Sequence, residues 1–180
     1  MKSHPARFPF MSRCLHWSMA VMIVAMLFLG VGMAASVSPR YQLLVSIHRP
    51  LGIAILILAA ARLVNRLVNP PPPLPHTMPP LQRFAADASH YVLYALMFGL
   101  PLVGWAMLSA EPYPIVIFGA LHLPPILAEN PVLYAGLRRL HTYLAYVMFA
   151  TFVVHFAAAL MHAWIRRDGV FESMASWRRR

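Results

Sequence analysis

The stretch from Leu140 to Trp164, LHTYLAYVMFATFVVHFAAALMHAW, contains no charged residue. A helix rises 1.5 Å per residue, so about 25 residues are long enough to cross a bilayer core of roughly 30 Å. The stretch therefore predicts a transmembrane helix, and the rest of the chain has to fold around it.

Two histidines, His141 and His155, lie on this predicted helix. Their spacing corresponds to about 21 Å along the axis and is only ~40° short of four full turns. They therefore face the same way at two depths. Two stacked haems need this separation if each takes one axial imidazole from this helix and one from a neighbour. His162 follows on nearly the same face, close to the membrane edge.

The composition agrees with a membrane protein. With 60% hydrophobic and 11% charged residues, the chain has more apolar surface than one soluble core could bury. The net charge of +10 comes from arginines that flank apolar spans instead of forming a continuous basic face, which argues against nucleic-acid binding. The single cysteine, Cys14, excludes an internal disulfide and a cysteine-based metal or iron–sulfur site.

Hydropathy predicts an all-α fold, an integral membrane four-helix bundle formed by one transmembrane domain over residues 1–180. A secretory signal is the weaker interpretation of the first span, because the run from Leu15 to Ala35 is longer than a usual signal sequence. We expect transmembrane helices at about 15–35, 48–64, 88–108 and 140–164, a proline-rich loop at 65–87 and a longer loop at 109–139.

The distribution of lysine and arginine predicts the orientation. Eleven of these residues lie on the side of the two termini and four on the opposite side. By the positive-inside rule, both termini and loop 65–87 are expected in the cytoplasm and loop 109–139 in the periplasm of a bacterial inner membrane. The prolines between Pro70 and Pro80 predict a polyproline-like strap, and loop 109–139 is expected to form a lid over the outer helix ends.

The histidines inside the spans are the candidate functional residues, because an intramembrane ionisable side chain is costly and usually functional. The helix directions place His48 with His141 at the outer depth and His16 with His155 at the inner depth. Two imidazoles on each haem iron would leave no open coordination position, which suits electron transfer. One histidine alone would more often be a hydrogen-bonded packing residue, but four at two matched depths favour haem.

The position of His16 leaves the inner pairing open. His16 lies three residues after an arginine, so by depth alone His162 or His90 matches it better than His155, unless the first helix begins near Pro9 and tilts. We interpret His90 as a helix-entrance residue that is hydrogen-bonded locally. His162 could hydrogen-bond a quinone carbonyl, pass a proton, or be an interfacial residue. The remaining histidines are expected to be solvated: His4, His76 and His122.

Three arginines lie beside the predicted outer pair in sequence. Arg49 follows His48 directly, while Arg138 and Arg139 shortly precede His141. They could pair with haem propionates through bidentate bonds, and they could raise the local concentration of a small anion. The absence of aspartate and glutamate from the middle of every span argues against a proton or cation transporter.

Several short motifs recur in a specific order along most of the chain. They are LHW at His16, IHxxxG at His48, ARLxxR at Arg62, the proline strap, SHxxxYxLxxxLPLxGW at Ser89, and LHxxLA with HFAAALMH on the fourth helix. In this order and spacing, the chain from about Arg13 to Asp168 resembles the bacterial di-haem cytochrome b-561 family. Characterised members of that family include superoxide oxidase, a superoxide:ubiquinone oxidoreductase.

The resemblance implies a four-helix bundle with two haem b groups. The family's axial ligands map onto His48 with His141 and onto His16 with His155, which favours His155 over His162 as the partner of His16. His162 resembles the family's quinone-site histidine near the inner haem. The implied acceptor is ubiquinone.

Three functions are compatible with these features. The first is a superoxide:quinone oxidoreductase whose partners are membrane lipid, quinone and superoxide. The second is an electron-transfer subunit between quinone and a partner dehydrogenase, hydrogenase or periplasmic cytochrome, with the lid and outer arginines as docking surface. The third is a non-redox membrane scaffold or metal carrier. Fold constrains this choice only loosely, and the direction of electron flow depends on potentials set outside the ligands.

Overall fold

The computed structural model describes residues 7–37, 39–75 and 78–176. Long helices make up most of these residues, and each is long and apolar enough to cross a membrane. They are α1 (Phe10–Ala34), α2 (Pro39–Val68), α3 (Pro80–Ser109) and α4 (Pro131–Leu160). The predicted all-α membrane four-helix bundle is therefore confirmed.

The helices extend beyond most of the predicted bounds. For example, α2 covers 39–68 instead of 48–64, and α1 and α4 likewise begin before positions 15 and 140. Hydropathy marks only residues that suit the hydrocarbon core, whereas helical hydrogen bonding continues through the polar flanks. The connections are correspondingly shorter than predicted, at 69–79 instead of 65–87 and at 110–130 instead of 109–139.

The connection between α3 and α4 contains an antiparallel hairpin that sequence analysis did not anticipate. Strand β1 (Ile115–Ile117) pairs with β2 (Leu121–Leu123), and Ile115 and Ile117 are buried. Phe118 and Gly119 in the turn both have positive φ, at 52° and 73°. A phenylalanine rarely adopts this conformation, which explains why the turn was hard to recognise from sequence.

This connection folds back onto the helix ends, as the predicted lid requires. The indole Nε1 of Trp105 donates a hydrogen bond to the Pro124 carbonyl at 2.9 Å, and the Ile126 N–H donates to Ser109 Oγ at 3.1 Å. His122 on β2 is exposed, as expected. We call this side of the bundle the hairpin end.

The opposite side, which we call the terminal end, carries both ends of the described chain. After α4 come a π-helical turn (Met161–Arg166) and a short helix, α5 (Val170–Ala175). The Trp17 indole donates to the Met174 carbonyl at 3.2 Å, and the Arg13 guanidinium donates to the Ser176 carbonyl. These bonds attach the C-terminal segment to the start of α1.

The proline-rich connection also lies at the terminal end. Residues 70–75 are neither helix nor strand, and Arg83 donates to the Pro75 carbonyl at 3.4 Å. Some predictions concern residues outside the described ranges: His4, His76, Lys2 and Arg178 to Arg180.

The four long helices pack as two pairs. Helix α1 packs along α2 and α3 along α4, whereas α1 and α4 meet only sparsely. A narrow apolar core that includes Met19, Ala59, Met97 and Met148 joins the pairs. Large side chains such as Phe28, at 75% exposed, point away from the core, as expected for a surface that faces lipid.

Candidate functional site

At the hairpin end, His48 of α2 faces His141 of α4. The ring centroids are 6.1 Å apart and the ring planes are inclined by 66°. The Nδ1 atoms of both rings are buried, and no described residue gives either a hydrogen bond of ordinary geometry. The structure therefore brings together the predicted outer pair, with Nδ1 atoms that are buried and that no described residue bonds with ordinary geometry.

Local backbone features make room for this pair. A Cβ atom at Gly104 of α3 would lie 3.4 Å from His141 Cε1, so the missing side chain leaves space for the ring. Pro50 follows His48 closely inside α2, and Pro101 precedes Gly104 inside α3. Since proline has no backbone N–H, one helical hydrogen bond is missing near each of these positions.

At the terminal end, three histidines from three helices come together. The His155 ring on α4 lies 6.5 Å from that of His16 on α1 and 5.4 Å from that of His90 on α3. Helix α1 begins directly after Pro9, which is the condition under which His16 reaches the depth of His155. The predicted local bond of His90 is confirmed, because its Nδ1 donates to the Ala86 carbonyl at 2.7 Å.

Two arginines of α2 lie beside this cluster, and sequence analysis gave them no role there. Arg62 Nη1 is 2.8 Å from His16 Nδ1, and Arg62 Nε donates to the Tyr94 hydroxyl at 3.1 Å. The Arg66 guanidinium lies 5.8 Å from the Tyr94 ring centroid. The four-residue spacing of the arginines was visible in the ARLxxR motif, but their proximity to His16 depends on how α1 packs on α2.

The arginines predicted beside the outer pair have different surroundings. Arg49 is half-buried and, with Tyr41, Ser46 and Phe118, lines a cavity of about 660 Å³ between α2 and the hairpin. Arg138 and Arg139 are exposed near the start of α4. The structure therefore places Arg49, the residue after His48, in a cavity beneath the hairpin and leaves the other two at the surface.

His162 is buried at the terminal end, with 9% of the residue exposed. It lies in the π-helical turn, and its Nδ1 donates to Asp168 Oδ2 at 2.8 Å. Asp168 also lies 3.6 Å from Arg166 Nε. Sequence analysis did not identify Asp168, because helical periodicity does not place residues six apart on one face.

The two facing pairs have the separation required for axial ligation. A metal held by two imidazoles through bonds of about 2 Å, with about 1 Å more to each ring centre, places the centroids about 6 Å apart. The observed values are 6.1 and 6.5 Å. Among residues 7–37, 39–75 and 78–176, no group of three or more histidine, cysteine, aspartate or glutamate residues could hold a bare metal ion. Two histidines suffice for haem, because the macrocycle supplies the other ligands.

Comparison with known proteins identifies the family. Residues 7–177 match the family described as prokaryotic cytochrome b561. The chain is 31% identical over 173 residues to "Cytochrome b561 homolog 2" of Escherichia coli (strain K12), covering 94% of this chain and 92% of that protein. It is also 28% identical over 161 residues to "Probable superoxide oxidase CybB" of Yersinia pestis, covering 89% of this chain and 90% of that protein.

Proposed function

The chain belongs to the prokaryotic cytochrome b561 family, whose members bind b-type haem, and on that premise we propose that it is a di-haem superoxide:ubiquinone oxidoreductase. The observation that carries the proposal is the presence of two facing histidine pairs at opposite ends of one bundle. A relative at 28% identity is named as a probable superoxide oxidase, which supports the choice of substrate.

In this proposal, His48 and His141 hold the haem at the hairpin end, and His16 and His155 hold the haem at the terminal end. When bound, each haem supplies one-electron transfer without an open coordination position. The chain's own residues fix the ring positions: His48 and His141 face each other at 6.1 Å and His16 and His155 at 6.5 Å. Arg62, beside His16, provides a cation for a haem propionate at the terminal end.

Superoxide reacts at the hairpin end in this proposal. Arg49 presents a half-buried positive charge in the cavity beneath the hairpin, and Arg138 and Arg139 add exposed charge nearby in the sequence of α4. Such charges raise the local concentration and the association rate of a small anion. Two superoxide ions each give up one electron and leave as oxygen.

Quinone reacts at the terminal end. His162 donates from Nδ1 to Asp168, which leaves Nε2 as the nitrogen that, once protonated, donates to a quinone carbonyl. One ubiquinone takes two electrons and two protons to become ubiquinol, which balances two superoxide ions. We place the protein in the bacterial inner membrane as a single domain, with both termini in the cytoplasm and the hairpin end in the periplasm.

One observation favours a second candidate, an electron-transfer subunit that links quinone to a partner dehydrogenase or hydrogenase. The hairpin end exposes large side chains, including Tyr113 at 73% and Phe118 at 72%. Exposed aromatic side chains are typical of docking surfaces. In that case the hairpin would receive a protein instead of a small anion.

The decisive experiment is stopped-flow reduction of the purified haem protein by a pulse of superoxide, with and without a ubiquinone analogue and at several ionic strengths. Rapid reduction that slows with salt, followed by reoxidation by quinone, supports the oxidoreductase. Slow or salt-independent reduction of an intact di-haem protein would favour the electron-transfer subunit.

A further inference from the structure

The helix that carries His162 ends at Arg166, and the chain changes direction over the next three residues. The turn Met161–Arg166 is π-helical, and the Arg167 N–H closes it by donating to the His162 carbonyl at 2.9 Å. Arg167 and Gly169 then adopt positive φ, at 50° and 83°. In a continued α-helix Asp168 would lie about 240° around the axis from His162. The π-helical turn and the two left-handed residues instead return its carboxylate to the histidine ring.

Both oxygens of the Asp168 carboxylate accept hydrogen bonds. Oδ2 accepts from His162 Nδ1 at 2.8 Å and lies 3.6 Å from Arg166 Nε, while Oδ1 accepts from the Val170 N–H at 3.3 Å. Arg166 in turn donates to the side-chain carbonyl of Gln82 on α3. The His162 and Asp168 side chains are only 11% and 15% exposed. The pair is thus tied to both α3 and α5, and π-helical turns of this kind are frequent at functional sites.

We propose that Asp168 is a positioning residue that enables His162 to deliver protons to the quinone. This inference rests on the proposed quinone site. The 2.8 Å contact fixes the proton of the neutral ring on Nδ1 and leaves Nε2 as the nitrogen that faces the quinone. The Asp168 carboxylate, which is hydrogen-bonded to Nδ1, also stabilises the imidazolium that forms when Nε2 takes up a proton.

The proton transfer occurs at Nε2. In the imidazolium form of His162, the Nε2–H bond breaks, its electron pair stays on nitrogen, and the proton forms an O–H bond with an electron pair of the quinone oxygen. The electrons that reduce the quinone come from the redox centres of the proposed function. The neutral ring keeps its proton on Nδ1, where it is hydrogen-bonded to the ionised Asp168 carboxylate. Nε2 takes its next proton from water at the terminal end, and two such cycles complete the quinol.

The charged groups at this end of the bundle come from several elements. Among the described residues, Arg166 of the π-helical turn forms an ion pair with Asp168. Helix α1 contributes Arg13 and α3 contributes Arg83, each bonded to a backbone carbonyl. Helix α5 contributes Glu172, which is exposed. Glu172 therefore offers a matched control, since its replacement removes one carboxylate from the same end without touching the pair.

The test compares two electron acceptors. Haem-loaded wild type, Asp168→Asn, Asp168→Glu and the Glu172→Gln control are reduced anaerobically with dithionite and mixed with short-chain ubiquinone or with ferricyanide, and haem reoxidation is followed by absorbance. Ferricyanide accepts electrons without protons. We expect Asp168→Asn to slow reoxidation by quinone about tenfold to a hundredfold, as for other residues that orient a functional histidine. Asp168→Glu is expected to be intermediate, and all ferricyanide rates to match wild type.

The outcomes separate this inference from the proposed function. If ferricyanide reoxidises the haem of the wild-type protein but quinone does not, the proposed function itself is contradicted. Quinone rates that are equal in wild type and Asp168→Asn would overturn the role of Asp168 alone, and so would an equal loss with both acceptors. If Asp168→Asn does not retain haem, Asp168→Glu decides, and a quinone rate equal to that of wild type would overturn the inference.

Discussion

The two ends of the bundle hold histidines in different surroundings. At the hairpin end, the buried Nδ1 atoms of His48 and His141 have no hydrogen bond of ordinary geometry from described residues. At the terminal end, His16 Nδ1 lies 2.8 Å from an Arg62 donor, and His90 Nδ1 donates to its own helix. The ring separations are nevertheless similar, at 6.1 and 6.5 Å.

This difference shows that the same pairing distance can be held in two ways. The rings at the hairpin end depend on the space that neighbouring side chains leave, such as the gap at Gly104. At the terminal end, the His16 ring instead lies against the charged Arg62 side chain, and His90 is bonded to its own helix. Changes in side-chain volume should therefore affect mainly the hairpin end, and changes in polarity mainly the terminal end.

The largest expected effect separates the two ends completely. We expect His141→Ala to halve the bound haem, because it removes one axial ligand at the hairpin end and leaves His16 and His155 in place. The haem content per protein and the visible spectrum measure this loss. The His122→Ala variant is the control, since His122 is exposed on β2. Retention of all the haem in His141→Ala would contradict the pairing.

The next prediction concerns which ring faces His155. The His90 ring is nearer to His155 than the His16 ring is, at 5.4 Å against 6.5 Å. We expect His16→Ala to lose the terminal-end haem and His90→Ala to keep it, because the resemblance to the family assigns the ligand role to His16. Haem content and the low-temperature spectrum of both variants would decide. The opposite result would identify His90 as the ligand.

Much of the architecture could be predicted from the sequence, because it depends on local signals. The long uncharged run through His141 and His155 was sufficient to predict a membrane helix, and four such runs predicted the bundle. The helix ends were less predictable, since Asn130 starts α4 by accepting two backbone N–H bonds well before the apolar run begins.

The features that could not be predicted depend on long-range packing or rare backbone conformations. Arg62 reaches His16 across 46 positions of sequence. Asp168 reaches His162 only because the helix ends in a π-helical turn and Arg167 adopts positive φ. The periodicity of a regular helix carries no signal for such a contact.

A change of volume should affect the hairpin end alone. In Gly104→Val, the new side chain would enter the space beside the His141 ring, where even a Cβ lies 3.4 Å away. We expect haem binding at the hairpin end to weaken about tenfold to a hundredfold, because the ligand ring is displaced. Haem retention during titration with a competing apo-protein measures the change. Gly99→Val is the control on the same helix, since a Cβ there meets nothing within 4 Å.

The smallest expected effect tests whether the hairpin end attracts an anion. Arg49 is half-buried in the cavity beneath the hairpin, where its charge is screened less by salt than an exposed charge would be. We expect Arg49→Gln to slow superoxide-driven haem reduction about two- to fivefold at low ionic strength, because one charge supplies only part of the attracting field. Stopped-flow reduction across ionic strength measures the rate.

Arg40→Gln is the matched control for this effect. Arg40 lies near the start of the same helix, is exposed, and its replacement changes the net charge by the same amount. If the protein's overall charge attracts superoxide, both variants slow equally, since distant exposed charges act only through the summed field. If the cavity does so, Arg49→Gln slows more than Arg40→Gln and keeps a larger deficit as salt rises. Equal rates in both variants and in wild type would show that positive charge at the hairpin end does not attract superoxide. That result would favour the hairpin end as a docking surface for a protein.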